Sequence, residues 1–173
     1  MITIREATTA DIQALSDIGS ETYREHFSDI WTAAGMQDFL NQDFSISELQ
    51  RSLESPSEHC WLLAFDADER VVGLAKINWS KSMPVSGEIG AELQKIYFLT
   101  SQAGKGYGKQ LLQVIRHLAE ERNERFIALD VLKTNANAQR FYANCGFRAV
   151  GEIPFSTDKA EIGMVVMRCD LSR

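Results

Sequence analysis

Glu92 to Gln110, ELQKIYFLTSQAGKGYGKQ, sets a strand pattern, a glycine-rich turn and the start of an apolar-striped helix in direct succession. Gly104, Gly106 and Gly108 alternate with Lys105 and Tyr107. Glycine permits backbone angles and close approaches that a side chain blocks. A helix start leaves several N–H groups without intrahelical partners and carries partial positive charge. Together these features form a cradle for an anion, most naturally a phosphate. A merely flexible connection would use the same glycines, so the flanking segments must carry the assignment.

Those flanks read as alternating strands and helices. Ile2 to Arg5 alternates as a short strand, and Thr8 to Asp11 offers caps for a helix with Ile12, Leu15 and Ile18 on one face, running through Phe27. Met36, Phe39 and Leu40 mark a second helix, and Ser45 to Leu53 a third with a Ser-x-x-Glu start. Core packing accounts for the aromatic residues of this region, with lining of a pocket as the alternative. His59 to Phe65 and Val71 to Trp79 read as a hairpin around the polar turn Asp66 to Arg70, and Ser80 to Gly90 as a loop of turn formers. In the strand Glu92 to Leu99, strict alternation puts Glu92, Gln94, Ile96 and Phe98 on one face and Leu93, Lys95, Tyr97 and Leu99 on the other.

After the turn, Leu111, Leu112, Ile115, Leu118 and Ala119 stripe a helix ending near Asn123. Arg125 to Leu132 is almost continuously apolar, as a strand covered on both faces requires. Thr134 to Asn137 opens a further helix that Gly146 stops, and Phe147 to Glu152 and Gly163 to Leu171 form two last strands around a polar loop. With no repeat or linker composition, residues 1–173 are expected to form a single mixed α/β domain.

Composition narrows the partners. The formal net charge of −6 disfavours nucleic acid, whose binders are basic, and suits a cationic substrate. No apolar run reaches the roughly 20 residues that span a bilayer, and the N-terminus lacks a signal-peptide pattern. Three cysteines, far apart and without CxxC, point to reduced thiols, a cytoplasmic setting and no metal site. GKGYGK lacks both the GxxxxGK[ST] and the GxGxxG spacing of rival phosphate motifs.

The pair strand–QAGKGYGKQLL–helix and strand–TNANAQRFYANCGF resembles the GCN5-related N-acetyltransferase (GNAT) superfamily from about Val71 to Leu171. TYREHFSDIWTAAGMQDFLNQDFSISELQRSL is similar to the aromatic-rich helical insert of small polyamine (spermidine/spermine) N-acetyltransferases. The resemblance implies a twisted mixed sheet flanked by helices, with acetyl-CoA bound where two central strands splay. It implies transfer of acetyl to a primary amine, a polyamine first among candidates. A protein N-terminus or lysine is the alternative acceptor, and a non-catalytic acyl-CoA-binding module the alternative class. The superfamily's usual Gln or Arg before the first glycine is replaced, by Ala103 or Ser101 according to which glycine pair is taken. One side-chain contact to the cofactor is thereby missing, whereas the backbone cradle is kept.

By the same resemblance, Gly104, Lys105, Gly106, Tyr107, Gly108 and Lys109 take the pyrophosphate, and Ile96, Tyr97 and Phe98 pair with the pantetheine arm as an added strand would. The Phe98 amide then faces the thioester oxygen. Asn135 touches the coenzyme or else caps its helix. Tyr142 is the expected general acid, with simple packing as its alternative. An alkylammonium has a pKa of about 10 and needs a base to become nucleophilic. Glu92 and Asp130 are the two candidates for that base. Tyr23, His26, Trp31 and Glu88 are expected to meet the cationic amine. A homodimer is the assembly that the resemblance suggests.

Overall fold

The computed structural model describes residues 1–171 and is built on one seven-stranded sheet. In chain order it comprises β1 (Thr3–Glu6), α1 (Ile12–Phe27), α2 (Ala33–Asp43), α3 (Ile46–Leu53), β2 (His59–Phe65), β3 (Val71–Ser82) and β4 (Ile89–Phe98). Then follow α4 (Tyr107–Glu121), β5 (Phe126–Leu132), α5 (Ala136–Asn144), β6 (Arg148–Ile153) and β7 (Met164–Asp170). Spatial order is β1-β2-β3-β4-β5-β7-β6, antiparallel throughout except for the parallel pair β4–β5. The expected twisted mixed α/β architecture is the one observed.

Local chemistry sets the helix starts. Thr8 and Asp11 form a reciprocal capping box just ahead of α1, and Arg5 grips the Asp11 carboxylate with both guanidinium nitrogens at 2.8 and 2.9 Å. Ser45 caps α3 by accepting the Glu48 N–H. The strands then divide their side chains between two layers. Leu62, Ala75 and Ile77 join Leu111, Ile115 and Ala119 of α4 on one face. Leu63, Leu74 and Trp61 join Leu15, Leu40, Phe44 and Leu49 of the first three helices on the other. Each fully buried leucine contributes about 1.5–3 kcal/mol, so either layer rejects a polar substitution.

Two expectations need correction. The Ser80–Gly90 loop is shorter than expected, with β3 reaching Ser82 and β4 starting at Ile89 around a turn closed by Met83 N–H to Glu88 O at 2.8 Å. Pro84 to Gly87 make that turn, whereas Ser80 lies at a bulge in β3, adopts φ 51° and donates its N–H to Glu124 at 3.0 Å. The strict alternation along β4 also fails. Lys76 pairs with Lys95 but Ile77 with Leu93, leaving Gln94 as an extra residue. Leu93, Ile96 and Phe98 consequently share the α4 face. Lys95 and Tyr97 turn to the α1 face, together with Glu92, whose register partner is Asn78.

The parallel contact between β4 and β5 is short. Only Ala91–Ile127 and Glu92–Ala128 are in register, and beyond them the strands diverge. The expected splay of central strands is therefore present, and the bulge at Gln94 lies where it opens.

Candidate active site

A cleft of about 650 Å³ occupies the splay. β4 supplies one wall from Glu92 to Phe98, β5 supplies Leu129 to Leu132, and α5 closes one end with Asn135, Ala138 and Tyr142. Tyr23, His26, Phe27 and Phe39 of α1 and α2 form the wall on the opposite sheet face.

The β4 edge beyond the splay presents backbone to the cleft. Leu99 donates its N–H to Val72 O of β3 at 3.0 Å. Because backbone direction alternates along a strand, the N–H groups of Phe98 and Ile96 point the other way, into the opening. His26 Nε2 donates to the Phe98 carbonyl at 2.7 Å, and Glu25 accepts the Thr100 N–H at 2.8 Å. The end of α1 thus pins the strand where it leaves for the glycine turn.

That turn fits an anion by its backbone alone. Gly104 and Gly106 both have φ of 77°, a left-handed conformation that side chains disfavour, and Gly106 heads α4 without a side-chain cap. Among the described residues, no acceptor meets the N–H groups from Gly104 to Lys109, and the next one bonded is Gln110, to Gly106 O at 3.2 Å. Gly108 lies inside the helix, where an added Cβ would sit 3.2 Å from the Phe141 ring. Lys105 and Lys109 are exposed beside this cradle, and Tyr107 packs 6.1 Å from the Phe98 ring.

Two carboxylates, Glu92 of β4 and Asp130 of β5, line the cleft from the two sides of the gap. Asn78 Nδ2 donates to Glu92 Oε1 at 2.7 Å and to Gln94 Oε1 at 2.9 Å, while His59 Nδ1 donates to Asn78 Oδ1 at 2.7 Å. The Asp130 carboxyl is pushed up from its ordinary value by burial, and further by the negative charge of Glu92. Tyr142, packed edge-on against Phe141 and Phe147, is driven far above the usual phenol range by burial, and secondarily by Cys145. Its proton is firmly held at neutral pH. Asn135 caps α5 by accepting the Ala138 N–H at 3.1 Å, and also lines the cleft.

The residues expected to meet an amine separate into two sets. Tyr23 and His26 reach the cleft. Trp31 stands behind Tyr23 and donates its indole N–H to the phenol at 3.0 Å. Burial nevertheless raises the Tyr23 phenol to about 12. Glu88 lies outside the cleft, in an ion pair with Arg168 at 2.9 Å.

Three participants were invisible to sequence reasoning. Lys95, buried against the rings of Phe39 and Phe44, pairs with Asp43 at 2.5 Å in the cleft wall. Opposite it Lys76 is held down to about 8, by burial first and then by the Lys95 charge. Asn78 is the third. The one available signal was that Lys76 and Asn78 interrupt a strand otherwise apolar on both faces.

The model of the acetyltransferase (GNAT) family matches residues 14–147. An N-acetyltransferase of Lactobacillus delbrueckii subsp. lactis, described as uncharacterized and encoded in the pepI 3′ region, is 24% identical over 89% of this chain and 88% of its own. The spermine/spermidine N(1)-acetyltransferase of Bacillus subtilis is 34% identical over 40% of this chain, a match spanning 47% of that protein. The structure of a PaiA N-acetyltransferase from Thermoplasma acidophilum in complex with coenzyme A superposes with a TM-score of 0.79 at 21% identity, covering 98% of this chain and 99% of that one.

Proposed function

This chain belongs to the GNAT family of acetyltransferases, and on that premise we propose that it acetylates a small primary amine, with a polyamine as the favoured acceptor. The observation that carries the reading is the Glu92 carboxylate, fixed by Asn78, in a cleft that Asp130 and the Tyr142 phenol also line. The −6 net charge and the partial match to a spermine/spermidine acetyltransferase support the choice of a cationic acceptor.

Coenzyme and chain are complementary. The unpartnered N–H groups of Gly104 to Lys109 suit a pyrophosphate, and the β4 edge at Ile96 and Phe98 suits the amide-bearing pantetheine arm. Acetyl-CoA, when bound, supplies an acyl group on a thioester, whose C–S bond gives way to a C–N bond. Glu92 takes the proton that the ammonium must lose, directly or through a water, with Asp130 as the second acceptor. Tyr142 holds a donor proton for the departing sulfur. Tyr23 and His26 flank the acceptor. We read residues 1–173 as one domain acting in the cytoplasm; among the described residues no helix is long and apolar enough to cross a membrane.

Release of coenzyme A from acetyl-CoA, followed across spermidine, spermine, simple amines and N-terminal peptides, tests the proposal. Tyr142→Phe is expected to lower kcat about 10²–10⁴-fold, and Glu92→Gln to lower it comparably. Tight acetyl-CoA binding with no thiol released by any acceptor would replace this reading with a binding module.

A further inference from the structure

His59, Asn78 and Glu92 stand in one row across β2, β3 and β4, each opposite the next in register. The bulge in β4 puts Glu92 there. Lys76 faces Lys95, so an unbroken antiparallel ladder would set Asn78 opposite Leu93, and the extra residue Gln94 moves Glu92 into that place instead. Asn78 is 4% exposed, and its side-chain amide is fully engaged. Nδ2 donates to Glu92 Oε1 at 2.7 Å and to Gln94 Oε1 at 2.9 Å, and Oδ1 lies 2.7 Å from His59 Nδ1.

The carboxylate at one end of this row dictates every donor along it. An ionised carboxylate only accepts, so the Asn78 NH2 has to face Glu92, which leaves Oδ1 facing the imidazole. An amide oxygen also only accepts, so His59 Nδ1 has to carry a hydrogen. The imidazolium and the neutral Nδ1–H tautomer both meet that demand. The neutral Nε2–H tautomer sets a nitrogen lone pair against the amide oxygen, and reversing the amide to relieve this would turn Oδ1 onto the Glu92 carboxylate. His59 itself is half-buried and outside the cleft. It lines a separate cavity of about 220 Å³ with Glu6, Cys60 and Arg122, where β2 runs past the end of its pairing with β1.

We propose that His59 is a positioning residue for acetyl transfer, held with its Nδ1 protonated and acting on Glu92 through the Asn78 amide. That role rests on the acetyltransfer reading, with Glu92 as the base, and extends it to a side chain that touches neither amine nor coenzyme. The aim of the base is thereby set two strands away, on the stretch of β2 that β1 leaves uncovered.

Two measurements test it. Isotope-edited NMR of the His59 ring in the parent, at a pH where the ring is neutral, should show the hydrogen on Nδ1 and none on Nε2. Kinetics on spermidine and spermine then compare His59→Phe, which removes the donor, with His59→Asn, whose amide nitrogen can occupy the place of Nδ1. His59→Phe should lower kcat about tenfold, with KM and coenzyme A affinity within about twofold of the parent, and His59→Asn should recover most of the loss. Added to Asn78→Leu, His59→Phe should cost nothing more, because the route to Glu92 is already cut. An active parent with the hydrogen on Nε2, a His59→Asn no better than His59→Phe, or full additivity in the double variant would overturn the role of His59 and leave the acetyltransfer reading standing. A parent that binds coenzyme A and turns over no amine sinks that reading, and the role of His59 falls with it.

Discussion

Asn78 holds Glu92: the amide nitrogen donates to the carboxylate at 2.7 Å from the neighbouring strand, and the amide oxygen accepts from His59 at 2.7 Å. His59 has no place in the cleft, yet it fixes which end of the Asn78 amide faces Glu92. Hydrogen bonds to charged groups are worth about 1.5–3 kcal/mol. Asn78→Leu should therefore reduce kcat roughly tenfold or more, with coenzyme A affinity unchanged. Steady-state kinetics beside a calorimetric coenzyme titration check this.

The glycines of the cradle differ in kind. Gly106 needs its left-handed backbone and has no atom within 4 Å of an added Cβ, so Gly106→Ala acts through strain alone, about 1–2 kcal/mol. It should weaken coenzyme A binding clearly. Gly108→Ala asks only that the Phe141 ring yield a few tenths of an ångström from its 3.2 Å contact, and should bind coenzyme nearly as well as the parent. Equal losses in both variants would contradict the assignment.

Asp130 and Asp11 give opposite pH signatures. Burial raises the Asp130 carboxyl, so its charged form costs folding free energy at neutral pH, and acidification through its folded pKa relieves that cost. Asp130→Asn should raise Tm at pH 7. If its charge serves the reaction, the acid limb of the rate profile in the parent should fall at a pH above that of an ordinary aspartate. Arg5 draws Asp11 down to about 2, so the stability from that pair is full above the ordinary value of 3.8 and lost as pH falls towards 2. Arg5→Met should flatten that acid loss in a pH series of thermal melts.

The buried pair of Asp43 and Lys95 predicts an asymmetry between single and double changes. Asp43→Leu strands an ammonium against Phe39 and Phe44, and should cost about 3–5 kcal/mol. Adding Lys95→Met to that change should recover most of the loss, because two apolar side chains need no partner. Denaturant melts of the three variants measure the coupling.

Much of the frame was legible because its signals are local. The spacing of Ile12, Leu15 and Ile18, the Ser45 cap and the apolar run of β5 announce their elements within a few residues. The bulge at Gln94 was not legible, since one unpaired residue changes the facing of Lys95 and Tyr97 without altering composition. The site divides similarly. Glu92, Asp130 and Tyr142 sit in motifs, whereas the links from His59 to Asn78, Asn78 to Glu92 and Asp43 to Lys95 join segments that nothing local relates. Glu88, expected at the amine, is claimed instead by Arg168, itself stacked 4.0 Å over Phe126.

The two-residue seam between β4 and β5 carries a liability as well as a site. Past that seam each strand offers the other an incomplete row of donors and acceptors, the same template that seeds pairing between separate molecules. A coenzyme arm lying along β4 would work as a protective stopper, quite apart from its chemistry. Stocks stored with saturating coenzyme A should accordingly resist heat-induced precipitation longer than stocks stripped of it, even for Tyr142→Phe, which keeps the same edge and lacks only the phenol.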